Sequence, residues 1–478
     1  MAETQNNIPL LHRKEWQTMT PAITASAIGT VVVADQSGND NTALVLNSGT
    51  VHYLYHHDED DYVQITSGAF GGTWVAGVCG VYYPWSLTYT ANGGSTTTVT
   101  VAAASFNING FVRNQTIEFL SGTAANIGLR RTITGITTIG TGTITLTLDS
   151  AVTSVANNDT FRVSSGSFFV MSSGTLAANC WKRYDKATGT WTDRAFATGG
   201  TTNGTDARVV SPYILNVSYD TGTATAASNT TTLVDTTKNW TASQWVNYQV
   251  RITAGTGMGQ VRVITANNAT TLTIGAGTDL DDTSVYAIEG DENAIYYMGN
   301  NSVNLYKYSI SGNAWSTISV TAARAGAPVA GMGANFVGKT GITEWADITN
   351  IKDGRYIYSI RGTSAIIDRY DITSLAWVDT TGVPYQPFIT TFNNGNSTFW
   401  NGRYLYILKE GTATVPIRIY KYALRGNYLE PLATDWYLGG VAVVGNKMWV
   451  KNLSTAGTVK WLYYISGTSN LVRRIMLF

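Results

Sequence analysis

The chain has 478 residues, 44% of them hydrophobic and only 13% charged, enough apolar material for a large core and too much for a disordered polymer. Its 31 basic and 31 acidic residues cancel, which excludes a global field that would recruit nucleic acid or an anionic membrane. Two cysteines, Cys79 and Cys180, exclude a disulfide scaffold.

Residues 1–28 begin MAETQNNIPLLHRKEW. They lack the apolar core of a signal peptide, and no segment of the chain approaches the ~18 apolar residues of a membrane span. They read as a polar arm anchored to a neighbour. GTVVVAD (29–35) is the first expected strand, and the stretch 29–85 reads as one strand-rich unit and the start of a second. Within it, Tyr55 and Tyr62 stand seven apart around HHDEDD (56–61). A separation of seven across small polar residues predicts two strands joined by a tight hairpin.

The same spacing recurs along the chain. Tyr184 pairs with Trp191 in KRYDKATGTW, Tyr308 with Trp315 in YKYSISGNAW, and Tyr370 with Trp377 in RYDITSLAW. Tyr422 with Leu429 and Tyr464 with Leu471 are weaker copies. An aromatic strand precedes each of the last four pairs, such as RYIYSIRG (355–362) or KMWVKNLS (447–454). A small apolar strand comes before that, such as APVAGMGA (327–334) or LGGVAVVG (438–445). Four strands repeated six times predict an all-β fold, a six-bladed β-propeller with a kelch-like period near fifty residues. By this register the last blade is complete at the C-terminus, and the ring closes by packing without exchanging a strand.

Successive Tyr positions are 129, 124, 62, 52 and 42 residues apart. The first two intervals exceed a blade by about 75 residues, placing inserts at 86–165 and 219–290 between the first and second strands of their blades. The propeller then resumes at 166–218 and 291–478. The inserts resemble each other: FVRNQTIEFLSGTAANIGLRRTITGI (111–136) and WVNYQVRITAGTGMGQVRVITANNATTLTI (245–274) each carry a Gly-rich turn followed by an Arg-bearing strand. They read as homologous small β-barrel or β-sandwich modules.

The segment TTTLVDTTKNWTASQWVNYQVRITAGTGMGQVRVI (230–264) resembles a small β-module of tailed-bacteriophage structural proteins. A propeller bearing such modules is similar in plan to phage head, neck and tail components, including tail hubs and nozzles. The resemblance implies a non-enzymatic virion protein, assembled in the host cytoplasm, with other virion proteins as partners, in a homo-oligomer or symmetric ring. A neck or tail position as hub, nozzle or adaptor leads over head decoration. A receptor- or glycan-binding propeller is the rival reading, with a host-surface glycan as partner, and a glycoside hydrolase comes after it.

Candidate chemistry is sparse. HHDEDD offers metal ligands, with Asp58 and Asp60 as the candidates, but adjacent residues on a tight turn rarely converge on one ion. GTGMGQ (255–260) lacks the Lys-Ser/Thr and following helix of a phosphate loop. No catalytic residue or cofactor is expected, nor sequence-specific nucleic-acid binding or membrane insertion. The repeat aromatics are expected to pack between blades. Trp240 and Trp245, outside the repeat, are the candidate interface residues.

Overall fold

The computed structural model describes residues 17–18, 31–35, 38–46, 52–65, 79–106, 114–139, 142–171, 180–196, 208–298, 305–320, 334–336, 356–360, 367–378, 397–400, 404–409, 418–423, 428–431, 447–452, 460–465 and 472–477. Among them the regular structure is strand, apart from single 3-10 turns at Ala103–Ser105 and Ala124–Asn126.

Six of the sheets are four-stranded and antiparallel. The first holds Val31–Ala34, Thr42–Leu46, His52–His56 and Asp61–Ile65. The second holds Cys79–Tyr83, Ser167–Met171, Trp181–Asp185 and Thr190–Arg194. The third holds Arg208–Val210, Ala294–Met298, Leu305–Ser309 and Ala314–Ile318. The fourth holds Ala334–Phe336, Tyr356–Ile360, Ile367–Asp371 and Ala376–Val378. The fifth holds Ser397–Trp400, Leu405–Lys409, Arg418–Ala423 and Tyr428–Pro431. The sixth holds Lys447–Asn452, Lys460–Ile465, Val472–Leu477 and, from the other end of the chain, Gln17–Thr18.

The first strands of successive sheets abut in a cycle, from Val31–Ala34 through Cys79–Tyr83, Arg208–Val210, Ala334–Phe336, Ser397–Trp400 and Lys447–Asn452 back to Val31–Ala34. The fold is a β-propeller. Burial follows from position in a blade. Second strands lie between two neighbouring blades, so TALVL (42–46) and SFFVM (167–171) are buried at every residue. Fourth strands lie at the rim, and DYVQI (61–65) and AWSTI (314–318) are mostly exposed.

Ring closure corrects the sequence expectation. Gln17 pairs with Arg474 and Thr18 with Arg473, so part of the N-terminal arm is the fourth strand of the last blade. The free edge of Val472–Leu477 would otherwise present unpaired N–H and C=O groups; the N-terminal strand covers that edge at Arg473 and Arg474 and ties the two ends of the chain together. The sixth copy of the repeat shifts accordingly. Tyr464 lies on the second strand of its blade and pairs with Met448 and Arg473. Leu471, LGGVAVVG (438–445), residues 327–333 of APVAGMGA and most of the arm lie outside the described residues.

Five copies are cross-strand pairs between third and fourth strands: Tyr55 with Tyr62, Tyr184 with Trp191, Tyr308 with Trp315, Tyr370 with Trp377, and Tyr422 with Leu429. Ring centroids in the first four lie 5.0, 5.1, 4.9 and 5.4 Å apart. These rings also reach the next blade. Trp181 of the second blade meets Tyr308 and Trp315 of the third at 5.5 and 5.3 Å, and Tyr55 meets Tyr463 of the last blade at 5.8 Å. In the first four hairpins the fifth residue after the Tyr turns the chain at positive φ: Asp60 (50°), Gly189 (68°), Asn313 (46°) and Leu375 (56°). Asp60 and Asn313 also accept the Tyr hydroxyl of their own hairpin, each at 2.7 Å.

Two further sheets interrupt blades two and three between first and second strands. Tyr89–Gly94, Thr98–Ala102, Thr116–Ser121, Arg130–Ile139, Thr143–Leu148 and Asn157–Val163 form a closed barrel. Alternation builds its core: Ile144, Leu146 and Leu148 point inward while the intervening threonines are half-exposed. Asp220–Thr223, Thr232–Val234, Gln249–Ala254, Val261–Asn267, Thr271–Ile274 and Val285–Glu289 form a six-stranded sheet. Its strand order matches the barrel's, opened between the first and second strands. Backbone bonds match as well. Phe119 donates to Leu129 and accepts from Gly128, as Ile252 does with Gln260 and Gly259. Asn114 and Asn247, both at positive φ, donate to Ile133 and Ile264.

Candidate functional site

This residue-by-residue equivalence places Glu118 of the first module opposite Arg251 of the second, and Gly128 opposite Gly259. The equivalent residues meet. Arg251 Nη1 donates to Glu118 Oε1 at 2.7 Å, and a Cβ on Gly128 would stand 2.0 Å from Gly259 Cα. Both glycines have positive φ (79° and 86°), so they supply the turn and permit backbone contact between modules. The modules therefore pack on each other through like surfaces about a local pseudo-dyad.

A charged lattice fills this seam. Arg162 donates twice to Glu118 Oε2, at 2.9 and 2.7 Å, and to Glu292 at 3.0 Å. Arg251 donates to Glu289 at 3.1 Å and to Glu292 at 2.7 Å. Arg130 lies 3.7 Å from Glu118 and 3.9 Å from Glu289. Three guanidinium groups thus face three carboxylates, and the indole of fully buried Trp85 lies 4.1 Å beneath Arg162 and 5.3 Å from Arg130. Burial opposes the charge on Glu292, but Arg162, Arg251 and Arg130 outweigh it and hold the carboxyl below its usual range. Burial likewise disfavours the Arg251 cation, and Glu292, Glu118 and Glu289 reverse that effect. Because Glu292 lies in the turn that leads into the third blade's second strand, the lattice joins both modules to the propeller.

The second module also rests on the fourth blade. Asn247 Nδ2 donates to Ile372 O at 2.6 Å, in the turn of RYDITSLAW, and Tyr370, Ile372 and Trp377 share a buried apolar cluster with Trp245 and Tyr248. Trp240 and Trp245 are thus core residues, a correction to their reading as interface candidates. They are 7% and 5% exposed, Trp240 Nε1 donates to Asp220 at 2.7 Å, and Trp245 packs edge-on against Tyr248. Their hydrophobic rings close the more open sheet of the second module, a role that the blade repeat could not reveal.

HHDEDD splits by direction. His56 and His57 are buried and Asp58 is exposed, while Asp60 is committed to the Tyr55 hydroxyl. His57 Nε2 accepts from Trp449 Nε1 of the last blade at 2.9 Å, and burial lowers its pKa to about 3. Among the described residues no group of three or more His, Cys, Asp or Glu is placed to hold a metal ion. Cys79 and Cys180 are both buried, as thiols outside any disulfide. No described helix is long and apolar enough to cross a membrane.

One cavity of about 230 Å³ opens where the first two blades, the first module and the link into the second module meet. Asp35, Asn114, Gln115, Ser211, Tyr213 and Asn216 contribute to its wall. Also in its wall, Asp40 joins blade one to blade two by accepting from Lys186 at 2.5 Å and Tyr82 at 2.8 Å. Burial raises the Asp40 pKa, but Lys186 and the hydroxyls around it prevail and lower it.

No protein-family model and no curated protein matches the chain. Among solved structures, the WD40 repeats of RRP9 align with 6% identity over 97% of this chain and 98% of that one, at a TM-score of 0.35. An auxiliary nutrient binding protein from Bacteroides ovatus ATCC 8483 aligns with 9% identity over 81% of this chain and 85% of that one, at 0.24. Neither TM-score reaches 0.5, and the fold rests on the strand pairing above.

Proposed function

We propose that this chain is a non-enzymatic structural component of a tailed-phage virion, placed in the neck or tail as a hub, nozzle or adaptor. The observation that carries the reading is the pair of duplicated modules locked to each other and to the propeller through the Glu118–Arg251 seam. Such a lattice makes one stiff body from three parts, which suits a load-bearing subunit. It is costly to build for stability alone, because buried ion pairs roughly break even against apolar packing. Its return is a fixed orientation of the modules. The phage-type pattern within 230–264 supplies the assignment to a virion, and outer module surfaces supply contacts to neighbouring subunits in a symmetric ring. Mass spectrometry and cryo-electron microscopy of purified particles test this: the chain should be present in stoichiometric, symmetric copies, and its absence from the particles would overturn the proposal.

A further inference from the structure

We infer that the junction cavity is a binding site for a neutral, polyhydroxylated ligand of single-sugar size, such as the terminal residue of a glycan. The inference stands independently of the virion proposal.

Size comes first. At about 230 Å³ the cavity sits just below the ~300 Å³ lower bound of ordinary small-molecule sites, so it admits one ring rather than an extended chain. Electrostatics come second. Among the described residues no Lys or Arg lines it, and the nearby cations are committed. Lys186 is held by Asp40 and Thr42, and Arg130 faces Glu118 and Glu289. An anionic ligand would enter without a counter-charge.

The third argument is hydrogen bonding. Gln115 Oε1 accepts from Ser164 at 2.9 Å, which orients the amide and leaves its NH2 as a donor. Ser211 Oγ accepts from the Tyr213 N–H at 3.3 Å, leaving its hydroxyl to donate. Asn216 accepts from Arg130 at 3.4 Å and keeps its own NH2. Asp35, whose Oδ2 receives the Asn39 and Asp40 N–H groups, places a carboxylate in the same wall. Fixed amide donors interleaved with acceptors match sugar hydroxyls, each of which both gives and receives a hydrogen bond. Asn114 and Asn216 sit at positive φ (65° and 62°), conformations that Asn tolerates well. The walls come from five chain segments held together by the Asp40–Lys186 pair and the seam, so the cavity is formed before the ligand arrives and ordering costs stay low.

The whole chain should be titrated by saturation-transfer NMR and calorimetry with glucose, galactose, mannose, N-acetylglucosamine, sialic acid and glucose 6-phosphate. At least one neutral sugar should bind with a millimolar or tighter Kd, and the two anions at least tenfold more weakly. Gln115→Leu should reduce that affinity at least tenfold in a chain that still folds, with a small drop in melting temperature because Ser164 loses its acceptor. Asn216→Asp, which keeps the left-handed backbone while replacing donors by an acceptor, should reduce it similarly, so the test survives if the first variant misfolds. Absence of neutral-sugar binding, preference for the anions, or unchanged affinity in folded variants would overturn the inference.

Discussion

Glu118 and Arg251 occupy the same position in two copies of one module and meet across the seam between them at 2.7 Å. A module paired with its own kind through this face would set Glu against Glu or Arg against Arg. The opposite charges therefore specify first module against second. Around them, Glu118 faces Arg162 and Arg130, while Arg251 faces Glu289 and Glu292. Arg251→Ala should cost about 3–5 kcal/mol, because it strands buried carboxylates. Exchanging the pair (Glu118→Arg with Arg251→Glu) should not restore stability, since each new charge enters surroundings of its own sign. Thermal unfolding of the single and double variants checks this; full rescue by the exchange would mean that the pair acts alone.

Leu375 holds a left-handed turn position occupied in three other blades by Asp60, Gly189 and Asn313. Leucine is strained there and offers no acceptor, and the buried Tyr370 hydroxyl has no partner among the described residues. Leu375→Asn should relieve about 1 kcal/mol of backbone strain and add a hydrogen bond worth about 1 kcal/mol, offset in part by lost leucine packing. The net stabilisation should appear as a rise in melting temperature. Adding Tyr370→Phe to the Leu375→Asn variant should reduce that rise, whereas Tyr370→Phe in the parent chain should not lower the melting temperature.

His57 seals the joint between the first and last blades as a neutral acceptor. Its folded pKa of about 3 lies below the ordinary histidine value of 6.5. Between those values the unfolded chain binds the proton and the folded chain does not, so the contribution of His57 is complete above pH 6.5 and declines as pH falls toward 3. Stability measured by denaturant titration at pH 7, 5.5 and 4 should fall, and His57→Asn should flatten part of that slope. An unchanged slope would contradict the assignment.

Removal of residues 1–20 should lower the melting temperature by several degrees and promote association, because it strips the partner strand from Val472–Leu477 and exposes that edge. Removal of a polar arm uninvolved in the ring would change neither. Differential scanning calorimetry with light scattering separates the two outcomes.

The propeller is legible in the sequence because its signal is local: a Tyr and its partner seven residues on share one hairpin, and the hairpin recurs. The closure is not, since Gln17 and Arg474 are joined by the ring and no spacing rule links them. The shifted register at Tyr464 has the same origin, because the last blade takes its fourth strand from the other end of the chain. The modules show both sides. Their Gly-Arg turns mark them as copies, with strands running from Tyr89 to Val163 and from Asp220 to Glu289. The meeting of Gly128 with Gly259, and of three arginines with three glutamates, requires coordinates, because a charged residue in a strand reads as solvent-facing until a neighbour covers it. Trp240 and Trp245 mislead for a related reason: each module has its own core, which the blade repeat does not describe.

Cryo-electron microscopy of purified phage particles is the decisive measurement for the proposed virion role. Density for this chain is expected in the neck or tail, in symmetric copies, with the two modules of each subunit paired through Glu118 and Arg251. Particles that lack the chain, or subunits whose modules are parted and turned independently, would contradict it.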